Sequence, residues 1–254
     1  MRRCVRAVSV LGLLSVFFAG SNWLTAQTAL PAGQQAQNLP IVHHPGLFFR
    51  EDWKLATDVP NTNTPDEPEH PVGQGDVANP NLEVRVYGDK NGVRIADQTY
   101  NQNTTYVMSL LSTSNWAATL RDKNNDVDLT GLATIRWRTR ISGFHYLHPI
   151  LKLADGTWLI GDKAASFSTD WVESEIELID VRWKRLDIDQ VVEYHDGRWV
   201  DKPDLSRVEE IGFTDLMRGG GHGSGGGSRV DWIEVYGKPV PRTAAAGSAN
   251  AGGR

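Results

Sequence analysis

The sequence predicts an all-β, antiparallel sandwich, and three observations carry that prediction. In Ile135-Arg136-Trp137-Arg138-Thr139-Arg140-Ile141, arginines alternate with Ile135, Trp137 and Ile141; in Val172-Glu173-Ser174-Glu175-Ile176-Glu177-Leu178, glutamates alternate with Val172, Ile176 and Leu178. Strand side chains point to opposite faces with period 2, so each stretch buries one row and shows the other. That pattern belongs to antiparallel sheets with one wet face. The remaining two observations are many short strand candidates parted by Gly, Asn and Asp, and a scarcity of helical periodicity.

In chain order the expected strands are Leu47–Lys54, Leu82–Gly88, Gly92–Ala96, Thr104–Leu111, Trp116–Arg121 and Ala133–Ser142, then Pro149–Ala154, Thr157–Gly161, Val172–Leu178, Arg207–Thr214 and Arg229–Gly237. Pro60, Pro65, Pro68, Pro71 and Pro80 mark Asp58 to Asn81 as a long loop after the first strand. Asp155-Gly156 and Asp196-Gly197, each between strand-like neighbours, are two-residue hairpin signals because both positions tolerate positive φ. From Ile179 to Val192 one helical turn and an extended path through Arg182-Trp183-Lys184-Arg185 fit equally well.

The ends read differently. Arg2, Arg3 and Arg6 precede an apolar run from Val8 to Gly20, and Trp23-Leu24-Thr25-Ala26 follows, which is the anatomy of a secretory signal peptide cleaved after Ala26. The run is short of the roughly 20 residues a membrane span needs, so no stable membrane insertion is expected after cleavage. The expected organisation is a signal peptide over 1–26, a flexible linker over 27–46, one sandwich over 47–240 and a disordered tail over 241–254, in a secreted or periplasmic protein. The only cysteine, Cys4, lies in the leader, so the core must hold without disulfides. Losing three arginines shifts the formal charge from −5 to −8 (−5 − 3), which argues against nucleic acid, whose binding rests on a basic footprint.

Asp128-Leu129-Thr130-Gly131-Leu132 before a strand, Pro203-Asp204-Leu205-Ser206-Arg207-Val208-Glu209-Glu210-Ile211-Gly212-Phe213, and the closing Val230-Asp231-Trp232-Ile233-Glu234-Val235-Tyr236 together resemble the galactose-binding-type jelly roll of many carbohydrate-binding modules. The resemblance covers roughly Asp128 to Tyr236. It implies a jelly-roll sandwich and a glycan or polysaccharide partner, and it also implies a structural calcium between the first strand and the last. Glu51, Asp52 and Asp231 are the candidate ligands for that Ca2+, since calcium takes carboxylate and carbonyl oxygens.

Two groups are candidate glycan contacts. Arg136, Arg138 and Arg140, extended by Lys152, could grip an acidic glycan through bidentate hydrogen bonds; they could equally pair across the sheet with Glu173, Glu175 and Glu177. Trp232 and Tyr236 alternate with Ile233 and Val235, so an exposed pair could stack on a sugar, unless a loop covers them. His145 and His148, three apart on an extended chain, point to opposite faces and suit one metal ion poorly. The glycines from Gly219 to Gly227, with His222 among them, lack the Lys of a phosphate loop and lead into a strand. An alternative is a polysaccharide lyase using Arg138, Arg140, Tyr146 and His148, or a glycosidase using the glutamate row. A third class is a structural protein of the periplasm or cell surface. Neither terminal segment has an apolar face to bury, so a protein lacking Gln27–Pro40 and Thr243–Arg254 is expected to melt as cooperatively as the full chain; loss of a cooperative thermal transition would show that one segment packs on the domain.

Overall fold

The computed structural model describes residues 43–58, 69–98, 104–109, 112–217 and 226–242; the expected signal peptide, most of the linker, His222 and residues 243–254 lie outside them. Among the described residues the strands are β1 (Leu47–Glu51), β2 (Glu69–Pro71), β3 (Leu82–Gly88), β4 (Arg94–Gln98), β5 (Thr104–Met108) and β6 (Trp116–Asp122). They continue with β7 (Asn125–Asp128), β8 (Thr134–Ser142), β9 (His148–Leu153), β10 (Trp158–Gly161), β11 (Val172–Glu177) and β12 (Trp183–Asp187). The last are β13 (Val192–Glu193), β14 (Trp199–Val200), β15 (Val208–Asp215), β16 (Gly227–Tyr236) and β17 (Lys238–Pro241). No helix among these residues is long and apolar enough to cross a membrane.

The strands form two antiparallel sheets. The first runs β11-β8-β16-β5-β4-β2, with β1 also paired to β16; the second runs β13-β12-β10-β9-β15-β6-β3, with β14, β7 and β17 attached to it. Ile135, Trp137 and Ile141 of β8 and Ile233 and Val235 of β16 meet Leu120 of β6, Leu151 of β9, and Ile211 and Phe213 of β15 in one buried cluster. Each such side chain contributes about 1.5–3 kcal/mol by leaving water, which is what holds the two layers face to face. The sandwich expected from alternation is therefore the observed fold.

The Asp155-Gly156 turn joins β9 to β10 as a hairpin, with Gly156 at φ +86° and its N–H donating to Leu153 O at 2.9 Å. The Asp196-Gly197 turn is a correction. β13 and β14 pair with the same strand, β12, in the same sense, so residues 194–198 bulge out of one interrupted strand and reverse nothing. The expected loop from Asp58 to Asn81 also holds β2 and a 3-10 turn at Gln74–Asp76. Asp76 organises that stretch: its carboxylate accepts the Ala56 N–H at 2.9 Å and the Gly73 N–H at 2.8 Å, and lies 2.8 Å from His70 Nε2. Residues 241 and 242, assigned to the tail by the sequence, are held here: β17 pairs with β7 through Pro241, and Arg242 reaches Asp126 at 2.6 Å, where Arg207 also binds at 3.0 Å.

The turns of the resembling motifs come together. Asp128 accepts the Thr130 N–H and Asp204 the Ser206 N–H, at 2.9 and 3.0 Å, and Leu129 N–H donates to Leu205 O between them. Gly212 lies where β15 presses on β6: a Cβ there would stand 2.0 Å from Ala118 O. Gly212→Ala should thus lower stability by about 2–3 kcal/mol through overpacking, whereas Gly131→Ala, in open space at φ +71°, should lower it by about 1 kcal/mol through backbone strain alone. Urea melts of both variants give the order, and a reversed order would refute the close approach.

Candidate functional site

The outer face of the first sheet carries the arginine row, with Arg136 opposite Glu175 and Arg138 opposite Glu173. The pairing is only partly the expected one. Arg136 reaches Glu175 at 3.4 Å and Glu234 at 3.2 Å, while Arg138 bonds Asp231 at 2.5 Å instead of Glu173. Arg140 lies across from Arg229 of β16, farther along the row. Trp232 faces outward as expected yet is only 8 % exposed, because the Arg50 guanidinium lies 4.5 Å from its ring and that of Arg136 6.0 Å. Tyr236 is half-buried and donates its hydroxyl to Glu234 at 3.0 Å. The exposed Trp232–Tyr236 platform is therefore corrected: arginine stems and heads roof it, as cation–π contact favours. Lys152 is also reassigned, because β9 belongs to the second sheet, where its ammonium meets Glu209 at 2.9 Å and Glu210 at 3.4 Å.

The calcium trio fares no better. Glu51 is buried and accepts N–H groups from Trp53 at 2.9 Å, Ala78 at 2.7 Å and Asn79 at 3.1 Å. Burial pushes its carboxyl above the usual range and those three donors oppose the shift. Asp52 is held by Arg50, and Asp231, also raised by burial, by Arg138. Positive donors aimed at a carboxylate take the lone pairs that calcium needs. These residues do not fit the ion, and no group of three or more His, Cys, Asp or Glu able to hold a metal occurs among the described residues.

The outer face of the second sheet is built differently. Register places His148, Thr214, Ala117 and Tyr87 in one cross-strand row, Ile150, Gly212, Thr119 and Arg85 in the next, and Lys152 beside Glu210 and Trp158 in a third. Glu210 is fully buried there and gathers Arg85 at 2.8 Å, Tyr87 hydroxyl at 2.9 Å and Thr119 hydroxyl at 2.8 Å. Tyr87 and Trp158 rings meet edge-on at 5.1 Å, although β6, β15 and β9 lie between their strands. On a flat sheet β3 and β10 would be about 19 Å apart at about 4.8 Å per strand. The sheet therefore curls toward its outer side and the rings lean across the trough. A second tie crosses the same trough. Val191, after β12, accepts the Asn115 side-chain N–H at 2.7 Å, and a Cβ on Gly88 would lie 3.1 Å from its methyl. Val191 is fully buried at φ +52°, an outlier for a β-branched residue. Strain of this kind is on the order of 1–3 kcal/mol and persists only where surroundings over-determine it. Ala117, Ile150, Trp158, Ile160, Leu186 and Val191 fill the trough as a second apolar cluster.

At one end of this face, the link from β8 to β9 forms a notch. Gly143 turns the chain at φ +70°, and the extended segment after it buries His145 and Leu147 while presenting Phe144 and Tyr146, 64 % and 53 % exposed. His145 is the anchor: its Nδ1 lies 2.5 Å from Asp215 Oδ2, which also accepts the Ser228 hydroxyl at 2.7 Å. Phe144, Tyr146, His148, Asp215, Leu216 and Met217 line a depression of about 210 Å³. His148 Nδ1 lies 2.9 Å from Gly161 O; a carbonyl only accepts, so Nδ1 carries the proton and Nε2 of the neutral ring is an acceptor. The expectation that His145 and His148 face opposite ways holds. The lyase set is split, because Tyr146 and His148 line the notch while Arg138 is committed to Asp231 on the other sheet.

Two other depressions hold rings that already carry partners. One of about 380 Å³ beyond β11 is lined by Lys163, Glu175, Glu177 and Asp180, with the Trp137 indole N–H spent on Ser174 at 2.8 Å. Another, of about 360 Å³, holds Trp199, whose ring carries Arg182 at 4.1 Å and Lys184 at 4.9 Å. Sequence reasoning named Tyr146 as a proton carrier and His148 as a proton carrier or a poor metal ligand, and passed over Phe144, Tyr87, Trp158 and Val191 as site residues. The alternation of Phe144, Tyr146 and His148 is the signal that could have found the notch.

The sequence matches no family model and no curated protein. Among solved structures the chain is similar to a family 11 carbohydrate-binding module from Clostridium thermocellum in complex with a β-1,3-1,4-mixed-linked tetrasaccharide, at 14 % identity and TM-score 0.38, covering 76 % of this chain and 98 % of that one. It is also similar to the Emp47p carbohydrate recognition domain, at 12 % identity and TM-score 0.29, covering 67 % and 95 %. Likeness at that level assigns neither ligand nor site to this chain.

Burial and the Glu210 charge push the Tyr87 hydroxyl from its ordinary 10.0 up to about 12. A pKa raised on folding adds stability that is present in full below pH 10 and is lost as pH rises through about 12. Spectrophotometric titration of the wild type against Tyr87→Phe should accordingly show one late-ionising phenol missing from the variant; loss of a phenol of ordinary pKa instead would break the link between Tyr87 and Glu210.

Proposed function

We infer that this sandwich is an exported, non-catalytic glycan-binding protein whose ligand contacts the notch at Phe144, Tyr146 and His148. The observation that carries the reading is a pair of aromatic rings left exposed on alternate positions while the residue between them is locked to Asp215. Exposed rings beside a fixed polar group mark a binding site more than a solvated surface does. A sugar ring offers the matching chemistry, with apolar C–H faces for Phe144 and Tyr146 and hydroxyls that donate to His148 Nε2. The absence of chemistry in this reading is supported by Asp215, the one carboxylate among the described residues that line the notch, whose oxygens serve His145, Ser228 and the Met217 N–H. A glycosidase needs a second carboxyl about 5–10 Å away across the substrate.

Isothermal titration against neutral and uronate-containing oligosaccharides tests the assignment. Tyr146→Ala and Phe144→Ala should each weaken binding at least about tenfold, while Arg138→Ala leaves it nearly unchanged, its guanidinium being committed to Asp231. Weakening by Arg138→Ala together with weakening by salt would move the site to the first sheet. No heat with any glycan would leave the structural class in front.

A further inference from the structure

We propose that the notch recognises the end of a glycan chain and rejects internal segments, an inference that rests on the glycan-binding reading above. A ligand that crosses a β-sandwich as a polymer needs a continuous path over a sheet, entering at one rim and leaving at another. The second sheet is curled enough to offer that path, and its own side chains obstruct it. Tyr87 and Trp158 meet at 5.1 Å across the intervening strands. Beside them the turn after β12 is tied to the start of β6 by the Asn115 side chain and Val191 O, at 2.7 Å. The first contact joins β3 to β10, and the second joins the start of β6 to the turn after β12.

Leu216 connects this obstruction to the notch. It lines the depression with Phe144, Tyr146 and His148, and it packs against the cluster that contains Trp158, Ile150 and Val191. The inner wall of the notch is therefore the outer flank of the plug. A sugar stacked on Phe144 and Tyr146 has apolar protein behind it, and on that side the described residues leave no groove to continue along. Terminal units fit this geometry, and units flanked on both sides do not. Discrimination of this kind comes from a built-in clash with the wrong ligand, not from an extra contact to the right one.

The measurement uses the full chain and ladders of di- to hexasaccharides cut from β-glucan, xylan, galactan and a uronan, followed by the parent polymers. For a chain-end site the wild-type Kd stays constant within about twofold along any ladder that binds. Protein bound to a fixed mass of that polymer then rises in proportion as endo-cleavage creates new ends. Asn115→Ala, which removes only the tie to Val191, should introduce a dependence on chain length, and Trp158→Ala a stronger one. Wild-type affinity that climbs with each added unit, or polymer binding that follows mass and ignores ends, overturns the proposal while leaving glycan binding intact. Failure of every ladder to bind overturns the glycan reading itself, and this inference with it.

Discussion

A carboxylate taken out of water must collect donors or give up its charge, and in this chain that requirement fixes where the loops lie. Glu51 draws in the backbone of Trp53, Ala78 and Asn79, and Asp76 gathers Ala56, Gly73 and His70. Asp126 binds Arg207 and Arg242, Glu210 binds Arg85, Tyr87 and Thr119, and Asp215 binds His145 and Ser228. Each of these acids joins segments far apart in sequence. Beyond Cys4 the chain has no cysteine, so no disulfide can do this work. Hydrogen bonds to a charged group are worth about 1.5–3 kcal/mol each, and losing one donor leaves a buried charge exposed to the full penalty. The loops are thus held by point contacts whose strength depends on complete satisfaction.

The same logic explains why the broad faces are poor places for a ligand. On the first sheet, Arg50, Arg136 and Arg138 are shared among Asp52, Glu175, Asp231 and Glu234, and the first two cover Trp232. On the second, curvature brings Tyr87 against Trp158 and closes the trough with apolar side chains. The recognition proposed above falls to the rim, where His145 anchors the β8–β9 link on Asp215 and its neighbours Phe144 and Tyr146 are exposed. Binding residues on loops positioned by a rigid scaffold are the usual arrangement; here the rigidity comes from one buried imidazole.

Much of the layer structure was legible because it is written in a period. Ile135, Trp137 and Ile141 alternate strictly, and so does their burial. The glycine at 156 announced its hairpin through positive φ. What was hidden had no period to show it. β17 carries Pro239 and Pro241, which have no N–H to give a ladder yet are tolerated on an edge. Glu210 reads as a surface acid until four donors are seen around it. Alternation placed Trp232 outward correctly and could not say that Arg50, far away in sequence, lies over it. Lys152 continued the arginine row in sequence but crossed to the other sheet, since consecutive strands in a sandwich need not be neighbours. The notch was legible only as residue types, because its concavity is made by the curl of a sheet.

The interrupted edge formed by β13 and β14 bears on how this chain behaves in a crowded solution of its own copies. An uninterrupted border strand presents a row of open amides and carbonyls on which a second molecule can add its own strand, and such addition propagates into fibres. Here the border is two pairs of residues parted by the bulge from Tyr194 to Arg198. An incoming strand finds register for two residues and then meets a protruding turn. The opposite layer ends in β11, whose outward glutamates would face their own kind across any self-pairing. Both borders therefore frustrate templated growth, one by shape and one by charge.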